Sequence, residues 1–177
     1  MIAFFETQHW DKEYLKGHFK RAKFFDEPIS KDILPSIKDV EILVVFIGSK
    51  VDKGILKELP RLKFIATMST GYDHIDTDYC KKHDIIVSNV PQYGENTVAE
   101  HTFGLILALS RNLFHTFERT RIGNFSLDGI RGFDLKGKTL GVVGTGSIGQ
   151  HVIRIAKGFQ MEVLAYDVNH DEEAARK

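Results

Sequence analysis

The sequence has few of the features that mark secreted, membrane-embedded or nucleic-acid-binding proteins. It contains a single cysteine, Cys80, which excludes an internal disulfide and favours a reducing compartment. Its 24 basic and 24 acidic residues give a formal net charge of zero, so no global positive field exists to hold nucleic acid or an anionic membrane. The longest apolar block, residues 104–109, is far too short to span a bilayer.

Targeting and metal-binding signals are also missing. The apolar run at residues 1–5 is short and has no basic lead, so we expect no signal peptide. The eight histidines and the acidic residues do not show metal-ligand spacing, so we expect no metal. A hydrophobic content of 42% is enough for a real core. These observations predict a soluble, cytoplasmic protein.

The first half of the chain alternates short apolar runs with segments of helical character. The runs are nearly continuous rather than strictly alternating, as expected when helices cover both faces of a parallel sheet. We therefore predict a doubly wound, flavodoxin-like α/β domain with helices near 11–19, 30–39, 52–59 and 75–83. The five predicted strands are 2–6, 22–25, 42–47, 62–68 and 85–89. Pro35 lies inside the second helical segment and predicts that it is short or broken.

The pattern changes after residue 96. Thr97 and Glu100 predict a capping box at the start of a helix over 97–113. This segment is apolar almost all round, so we expect it to be buried between larger units. Residues 123–138 are rich in glycine and polar residues and predict a loop or an extended arm.

A glycine-rich stretch, "LGVVGTGSIGQ", follows from Leu140 to Gln150. Its spacing G-x-G-x-x-G lies between a predicted strand (139–143) and a predicted helix with an apolar face, the arrangement of a dinucleotide site. Gly144 permits the tight turn, Gly146 lets a pyrophosphate approach the backbone, and Gly149 allows close packing of helix on strand. Amides around Ser147 and Ile148 are then directed at the phosphates from the helix N-terminus.

A carboxylate completes this predicted site. The segment "EVLAYD" predicts a second strand that ends in Asp167, about twenty residues beyond the glycines, where an acid accepts the ribose hydroxyls. The alternatives are glycines that serve only a tight turn and an aspartate that is solvated at a strand end. Since strand, helix, second strand and acid occur together, we favour NAD as the cofactor.

The sequence resembles the D-isomer-specific 2-hydroxyacid dehydrogenases, and within them the D-lactate dehydrogenase-type branch. Three stretches carry the resemblance: "FFETQHWDKEYL", "PRLKFIATMSTGYDHIDTDYCKKHDIIVSNVPQYGENTVAEHTFGLILALSR" and "LKGKTLGVVGTGSIGQHV". The resemblance implies a flavodoxin-like substrate domain (1–96), then an interdomain helix, an arm and the first β-α-β unit of a Rossmann NAD domain (97–177). It also implies a homodimer formed through residues 97–137.

The loop after the predicted strand 62–68 is a candidate substrate-binding loop. Ligands bind at the carboxyl ends of strands in open α/β sheets, so amides of Ser69, Thr70 and Gly71 could hold an anion there. The family uses this loop for the substrate carboxylate, and Tyr72 would wall the pocket. The alternative is an ordinary turn in which Asp73 caps the next helix. Ser49 has a similar location with weaker support.

Other candidate residues are expected to have ordinary roles. We interpret Cys80 as a packed helix residue and His83 as a surface or capping residue. Glu100 and His101 are adjacent on a helix and point in different directions, so they do not form an acid–base pair. By the resemblance, Thr102 lies near the nicotinamide.

The resemblance places the catalytic arginine, glutamate and histidine of the family beyond Lys177. We therefore expect an NAD-dependent oxidoreductase of small D-2-hydroxy acids, D-lactate and pyruvate among them, represented by a truncated chain that is itself inactive. The alternative is a non-catalytic NAD-binding or interaction module, similar to a corepressor, on the same fold. Reading the coding sequence past Lys177 discriminates between the two.

Overall fold

A computed structural model describes residues 1–169 of the chain. The chain divides into two compact units, Met1–Tyr93 and Gly94–Lys177. The domain boundaries expected from the sequence, 1–96 and 97–177, stay a prediction, and residues 170–177 lie outside the described part.

The first unit contains one sheet of five parallel strands. The strand order is β2-β1-β3-β4-β5, which is the order of the flavodoxin-like fold, and this fold class was predicted from the sequence. Each strand is slightly shorter than its apolar run, because the run also includes residues that enter the following turn. The strands are β1 (Ile2–Phe4), β2 (Ala22–Phe24), β3 (Ile42–Val45), β4 (Phe64–Thr67) and β5 (Ile86–Ser88).

Helical segments connect these strands where the sequence predicted them. They are α1 (His9–His18), a 3-10 helix (Lys31–Ile37), α2 (Lys53–Leu56) and α3 (Thr77–Lys82). Pro35 lies within the 3-10 helix, so this segment is not a regular α-helix, in keeping with the effect expected of the proline. The core is built from apolar side chains of the central strands and the covering helices, among them Phe5, Leu43, Ile65 and Cys80.

The second unit contains a β-α-β element of Rossmann type. Strands β6 (Thr139–Val143) and β7 (Glu162–Tyr166) are parallel neighbours, and α6 (Ser147–Gly158) connects them. Val152 and Ala156 of α6 are buried against a small core that includes Phe103 and Val142. Residues 123–138 form neither helix nor strand, in keeping with the predicted arm.

The region before the arm differs from the prediction in two ways. It forms two helices, α4 (Glu95–Ser110) and α5 (Leu113–Arg121), and the second of these was not predicted. Asn112 separates them with a left-handed backbone (φ 51°), a conformation that asparagine tolerates better than most residues. The predicted capping box is wrong, because α4 begins before Thr97, and its N-cap is Gly94, which has no side chain to cap with.

The expected burial of α4 is also wrong for this chain. Ala99, Phe103 and Ser110 are its only buried residues, whereas Leu105 and Leu109 are 55% and 79% exposed. Within its unit α4 packs on α5 and α6, and these contacts cover one stripe of the helix. Much of the apolar surface that suggested burial therefore faces solvent.

Candidate functional site: a glycine loop and an anion loop

The glycine loop, residues 144–149, begins directly after β6. Gly144 has a φ of +96°, a conformation that L side chains rarely adopt, and its N–H donates to the carbonyl of Tyr166 at 2.7 Å. The chain therefore reverses tightly while the loop remains attached to the end of β7. Gly146 is the N-cap of α6, and the helix begins at Ser147.

Gly149 is required by close packing. A Cβ at this position would lie 2.0 Å from the carbonyl oxygen of Gly144 and 3.7 Å from a methyl carbon of Val142. Any larger residue would force α6 away from the turn that precedes it. The sequence-based interpretation of this glycine, close approach of helix and strand, therefore has a direct steric basis.

The other end of the loop is open. A Cβ at Gly146 would meet no atom within 4 Å, so the space beside this backbone is not filled by the described chain. The N–H groups of Gly146, Ser147 and Ile148 make no hydrogen bond within residues 1–169. Three free donors at the start of a helix suit the phosphates of a dinucleotide.

Asp167 lies directly after β7, at the end of the β-α-β element. Its Oδ2 accepts hydrogen bonds from the N–H (2.6 Å) and the hydroxyl (3.1 Å) of Thr145, and its Oδ1 accepts one from the N–H of Asn169 (2.9 Å). The donors at Asn169 and Thr145 lower the pKa of this carboxyl below its ordinary value. The group is therefore anionic near neutral pH, and it links the glycine loop to the strand end.

The anion loop, residues 69–72, begins shortly after β4 ends. The side chain of Ser69 is buried, and its hydroxyl donates to the carbonyl of Gly71 at 2.7 Å. The N–H groups of Thr70, Gly71 and Tyr72 make no hydrogen bond within the described residues. Successive free N–H groups in a turn form a concave donor set for an anion. The Tyr72 side chain is about half exposed.

Several of the weaker sequence candidates have structural partners instead. Ser49 is completely buried, where its hydroxyl contacts the Glu6 carboxylate and accepts the N–H of Ile29, so it is not available to a substrate. Asp76, rather than Asp73, caps α3 by accepting the N–H of Tyr79. The Thr102 hydroxyl donates back to the carbonyl of Val98 on its own helix.

Cys80 and His83 fit the ordinary roles expected for them. Cys80 is buried in the core, and burial raises the pKa of its thiol. His83 stacks on Tyr79 at the C-cap of α3.

Three residues beside the anion loop were not predicted from the sequence. Asn89 donates through its carboxamide to the carbonyl of Thr70 (2.7 Å), and Thr67 and His74 form hydrogen bonds behind Ser69. The turn "SNVP" after β5 was the available signal for Asn89, since β4 and β5 are neighbours and their carboxyl ends meet. Across residues 1–169, no cluster of metal-ligating side chains occurs and no helix is long and apolar enough to cross a membrane.

Solved structures resemble the whole of this fold. The crystal structure of D-lactate dehydrogenase from Aquifex aeolicus, complexed with NAD and lactic acid, superposes with a TM-score of 0.91 at 38% identity and is matched over 99% of this chain and 54% of that chain. The apo structure of D-lactate dehydrogenase from Escherichia coli gives a TM-score of 0.80 at 34% identity, over 99% of this chain and 57% of that one.

Curated relatives have similar sequences. The D-lactate dehydrogenase of Escherichia coli is 36% identical over 172 residues, which are 94% of this chain and 52% of that protein. The glyoxylate reductase of Pyrococcus furiosus is 33% identical over 180 residues, which are 98% of this chain and 50% of that protein. The chain thus spans about half the length of the curated relatives it matches.

A family profile covers nearly the whole chain. The profile described as "D-isomer specific 2-hydroxyacid dehydrogenase, catalytic domain" matches residues 2–175. The match agrees with the five-stranded flavodoxin-like sheet and with the glycine loop between β6 and α6. The chain therefore belongs to the D-isomer-specific 2-hydroxyacid dehydrogenases, a family of oxidoreductases.

Proposed function

We propose that this chain supplies the substrate-carboxylate loop and the pyrophosphate and ribose contacts of an NAD-dependent dehydrogenase of small D-2-hydroxy acids, with D-lactate and pyruvate as the reference pair. One observation carries the proposal. Each of two loops that follow parallel strands presents three consecutive backbone N–H groups without a partner in residues 1–169, and one of these loops is attached to a carboxylate at a strand end.

The residues of the glycine loop fit a dinucleotide. The N–H groups of Gly146, Ser147 and Ile148 would bind the pyrophosphate, and the room beside Gly146 would admit it. Asp167 retains lone pairs beyond its bonds to Thr145 and Asn169, and these would accept the ribose hydroxyls. The same negative charge would oppose the 2′-phosphate of NADP, so NAD is the proposed cofactor. When bound, the nicotinamide donates or accepts the hydride.

The anion loop would bind and orient the substrate. Its free N–H groups would hold the carboxylate of a 2-hydroxy or 2-keto acid, and the half-exposed Tyr72 would bound the space for the substrate side chain. No residue in this proposal is assigned as general acid. The family resemblance places that histidine, with the arginine and the glutamate, beyond Lys177, so residues 1–177 should bind ligands without turning them over.

Self-association is part of the proposal. Apolar side chains along α4, α5 and the arm are more than half exposed, and they lie within the segment 97–137 that the resemblance assigns to a homodimer. We propose that a second copy of this chain covers them.

The test uses purified residues 1–177 with NAD, NADP, NADH and pyruvate. Calorimetry should show weak NAD binding and weaker NADP binding, and a coupled absorbance assay should show no NADH oxidation. Turnover by the pure chain would contradict the assignment of the acid–base group beyond Lys177. Equal affinity for NAD and NADP would contradict the role of Asp167.

A further inference from the structure

The orientation of the anion loop is set by three anchored carbonyl groups. In a trans peptide the carbonyl of one residue and the N–H of the next point in opposite directions, and the peptide bonds here are trans. Fixing the carbonyls of Ser69, Thr70 and Gly71 therefore also fixes the N–H groups of Thr70, Gly71 and Tyr72.

Each of these carbonyls has its own donor. The N–H of Val90 donates to the Ser69 carbonyl at 3.0 Å, and the Asn89 carboxamide donates to the Thr70 carbonyl at 2.7 Å. The Ser69 hydroxyl donates to the Gly71 carbonyl at 2.7 Å. The three N–H groups are thereby directed away from these donors, and none of the three has a partner among the described residues.

The hydrogen bonds that join Ser69, Thr67 and His74 can have only one donor direction, because each hydroxyl has a single proton. A serine hydroxyl has one proton, and that of Ser69 is used on Gly71, so Ser69 must accept the 2.6 Å bond from Thr67. The single proton of the Thr67 hydroxyl is then used on Ser69. Thr67 must therefore accept the 3.1 Å bond from His74, whose Nε2 carries the proton.

This chain of donors lies in a dry part of the first unit. Thr67 and Ser69 are 2% and 3% exposed, so water cannot replace a partner that is lost. A buried hydroxyl deprived of its partner is costly, and each bond in such a chain strengthens the next. Loss of the Thr67 hydroxyl should therefore weaken the hydrogen bond that the Gly71 carbonyl accepts, two hydrogen bonds further along the relay.

We propose that Asn89 and the relay His74–Thr67–Ser69 are positioning residues, which hold the peptide groups of residues 69–72 so that their N–H groups remain available to a substrate carboxylate. This inference rests on the proposed function of the anion loop. It adds to that function the side chains that orient the loop and the proton arrangement that they require.

The first experiment measures the relay itself by NMR. Long-range ¹⁵N–¹H spectra of residues 1–177 report the protonation of the His74 ring nitrogens, and we expect Nε2 to be the protonated one. Thr67→Val removes the hydroxyl at constant shape and should change these signals, whereas Thr67→Ser should preserve them. Thr77→Val is the matched control, since the Thr77 hydroxyl makes no hydrogen bond within the described residues. A His74 ring protonated only at Nδ1 would overturn the relay.

The second experiment measures ligand binding with pyruvate as the probe. Pyruvate should shift the amide signals of Thr70, Gly71 and Tyr72 in the unmodified chain. Thr67→Val and Asn89→Leu, two neutral changes of similar shape, should each weaken pyruvate binding about fivefold to tenfold, the loss expected when one orienting hydrogen bond is removed. Thr67→Ser and Thr77→Val should bind as the unmodified chain does.

The outcomes separate the two proposals. Pyruvate affinity equal to that of the unmodified chain in the Thr67→Val and Asn89→Leu variants, with binding at the loop amides intact, would overturn the positioning role and leave the proposed function standing. If pyruvate leaves those amide signals of the unmodified chain unchanged, the substrate assignment fails and the positioning role fails with it.

Discussion

The Oδ2 atom of Asp167 accepts a 2.6 Å hydrogen bond from the backbone N–H of Thr145, 22 residues earlier in the chain. The first turn of the glycine loop and the carboxylate proposed for the ribose are therefore one hydrogen-bonded unit. Removing the carboxylate would affect the ligand contact and the shape of the loop together.

Asp167→Ala should weaken NAD binding about tenfold or more and reduce the preference for NAD over NADP, because a charge-assisted acceptor is lost. Calorimetric titration with both cofactors measures the change. Asp134→Ala, which removes an exposed carboxylate paired with Arg111, is the control. An unchanged NAD-to-NADP ratio in Asp167→Ala would exclude the ribose role. Since the folded-state pKa of Asp167 is lowered, its contribution to loop stability is present above the ordinary aspartate pKa and is lost as the pH falls through the folded value.

Gly149→Ala should destabilise the β6–α6 element by about 2 kcal/mol or more, because the new methyl group would lie 2.0 Å from the Gly144 carbonyl oxygen. Gly158→Ala at the last residue of the same helix is a matched control, since its Cβ would meet nothing within 4 Å, and it should not destabilise α6. Hydrogen exchange of the β6 and α6 amides gives both free energies. Equal protection in the two variants would contradict the steric argument.

Glu6→Gln should destabilise the first unit by about 1.5–3 kcal/mol, the range for hydrogen bonds to a charged group. The Glu6 carboxylate accepts hydrogen bonds from the N–H groups of Phe46 (3.0 Å) and Gly48 (2.7 Å) and also contacts the Ser49 hydroxyl. In the glutamine variant an NH₂ group, itself a donor, would replace one of the two accepting oxygens. Urea unfolding followed by far-ultraviolet circular dichroism measures the loss. Glu13→Gln on the exposed face of α1 should change little, and a similar effect from both variants would show that the network around Glu6 is unimportant.

Glu41 should make acid stability pH-dependent. Hydrogen bonds and charge from Lys63 and the N-terminal ammonium lower its pKa from 4.5 to about 2. A lowered folded-state pKa gives stability that is full above pH 4.5 and is lost as the pH falls toward 2. The unfolding free energies of Glu41→Gln and the unmodified chain should therefore differ most above pH 4.5 and converge near pH 2. A difference that stays constant over this range would contradict the lowered pKa.

Charged substitutions on the exposed apolar surface of the second unit should prevent self-association. Leu109 and Phe117 are 79% and 64% exposed, and Leu109→Lys with Phe117→Glu would put charges into the proposed dimer contact. Sedimentation at micromolar concentration should show a dimer for the unmodified chain and a monomer for this variant. Ile47→Lys, on the first unit, should remain dimeric, and a strictly monomeric unmodified chain would exclude the homodimer proposal.

The sequence by itself determined the features that depend on neighbours along the chain. Apolar runs separated by helical segments predicted the five parallel strands, because the local pattern of apolar residues indicates both the type of element and its burial. The spacing of Gly144, Gly146 and Gly149 predicted the turn and the helix start. The positive φ of Gly144 and the close contact at Gly149 each disfavour a side chain, so both positions are visible in the sequence as glycines. The position of Asp167 at the end of the second strand was predicted from the lengths of the helix and the strand that precede it.

Only the tertiary structure decided which groups meet across the sheet. Asn89 reaches the carbonyl of Thr70, and Glu6 reaches the loop after β3. Both contacts depend on the register of neighbouring strands. Every non-proline residue has the same backbone donor and acceptor, so the sequence does not mark which of these backbone groups a distant side chain will bind. The exposure of α4 could not be predicted from the sequence either. An apolar helix sequence indicates that the helix is to be buried, but it does not indicate which part of the molecule buries it.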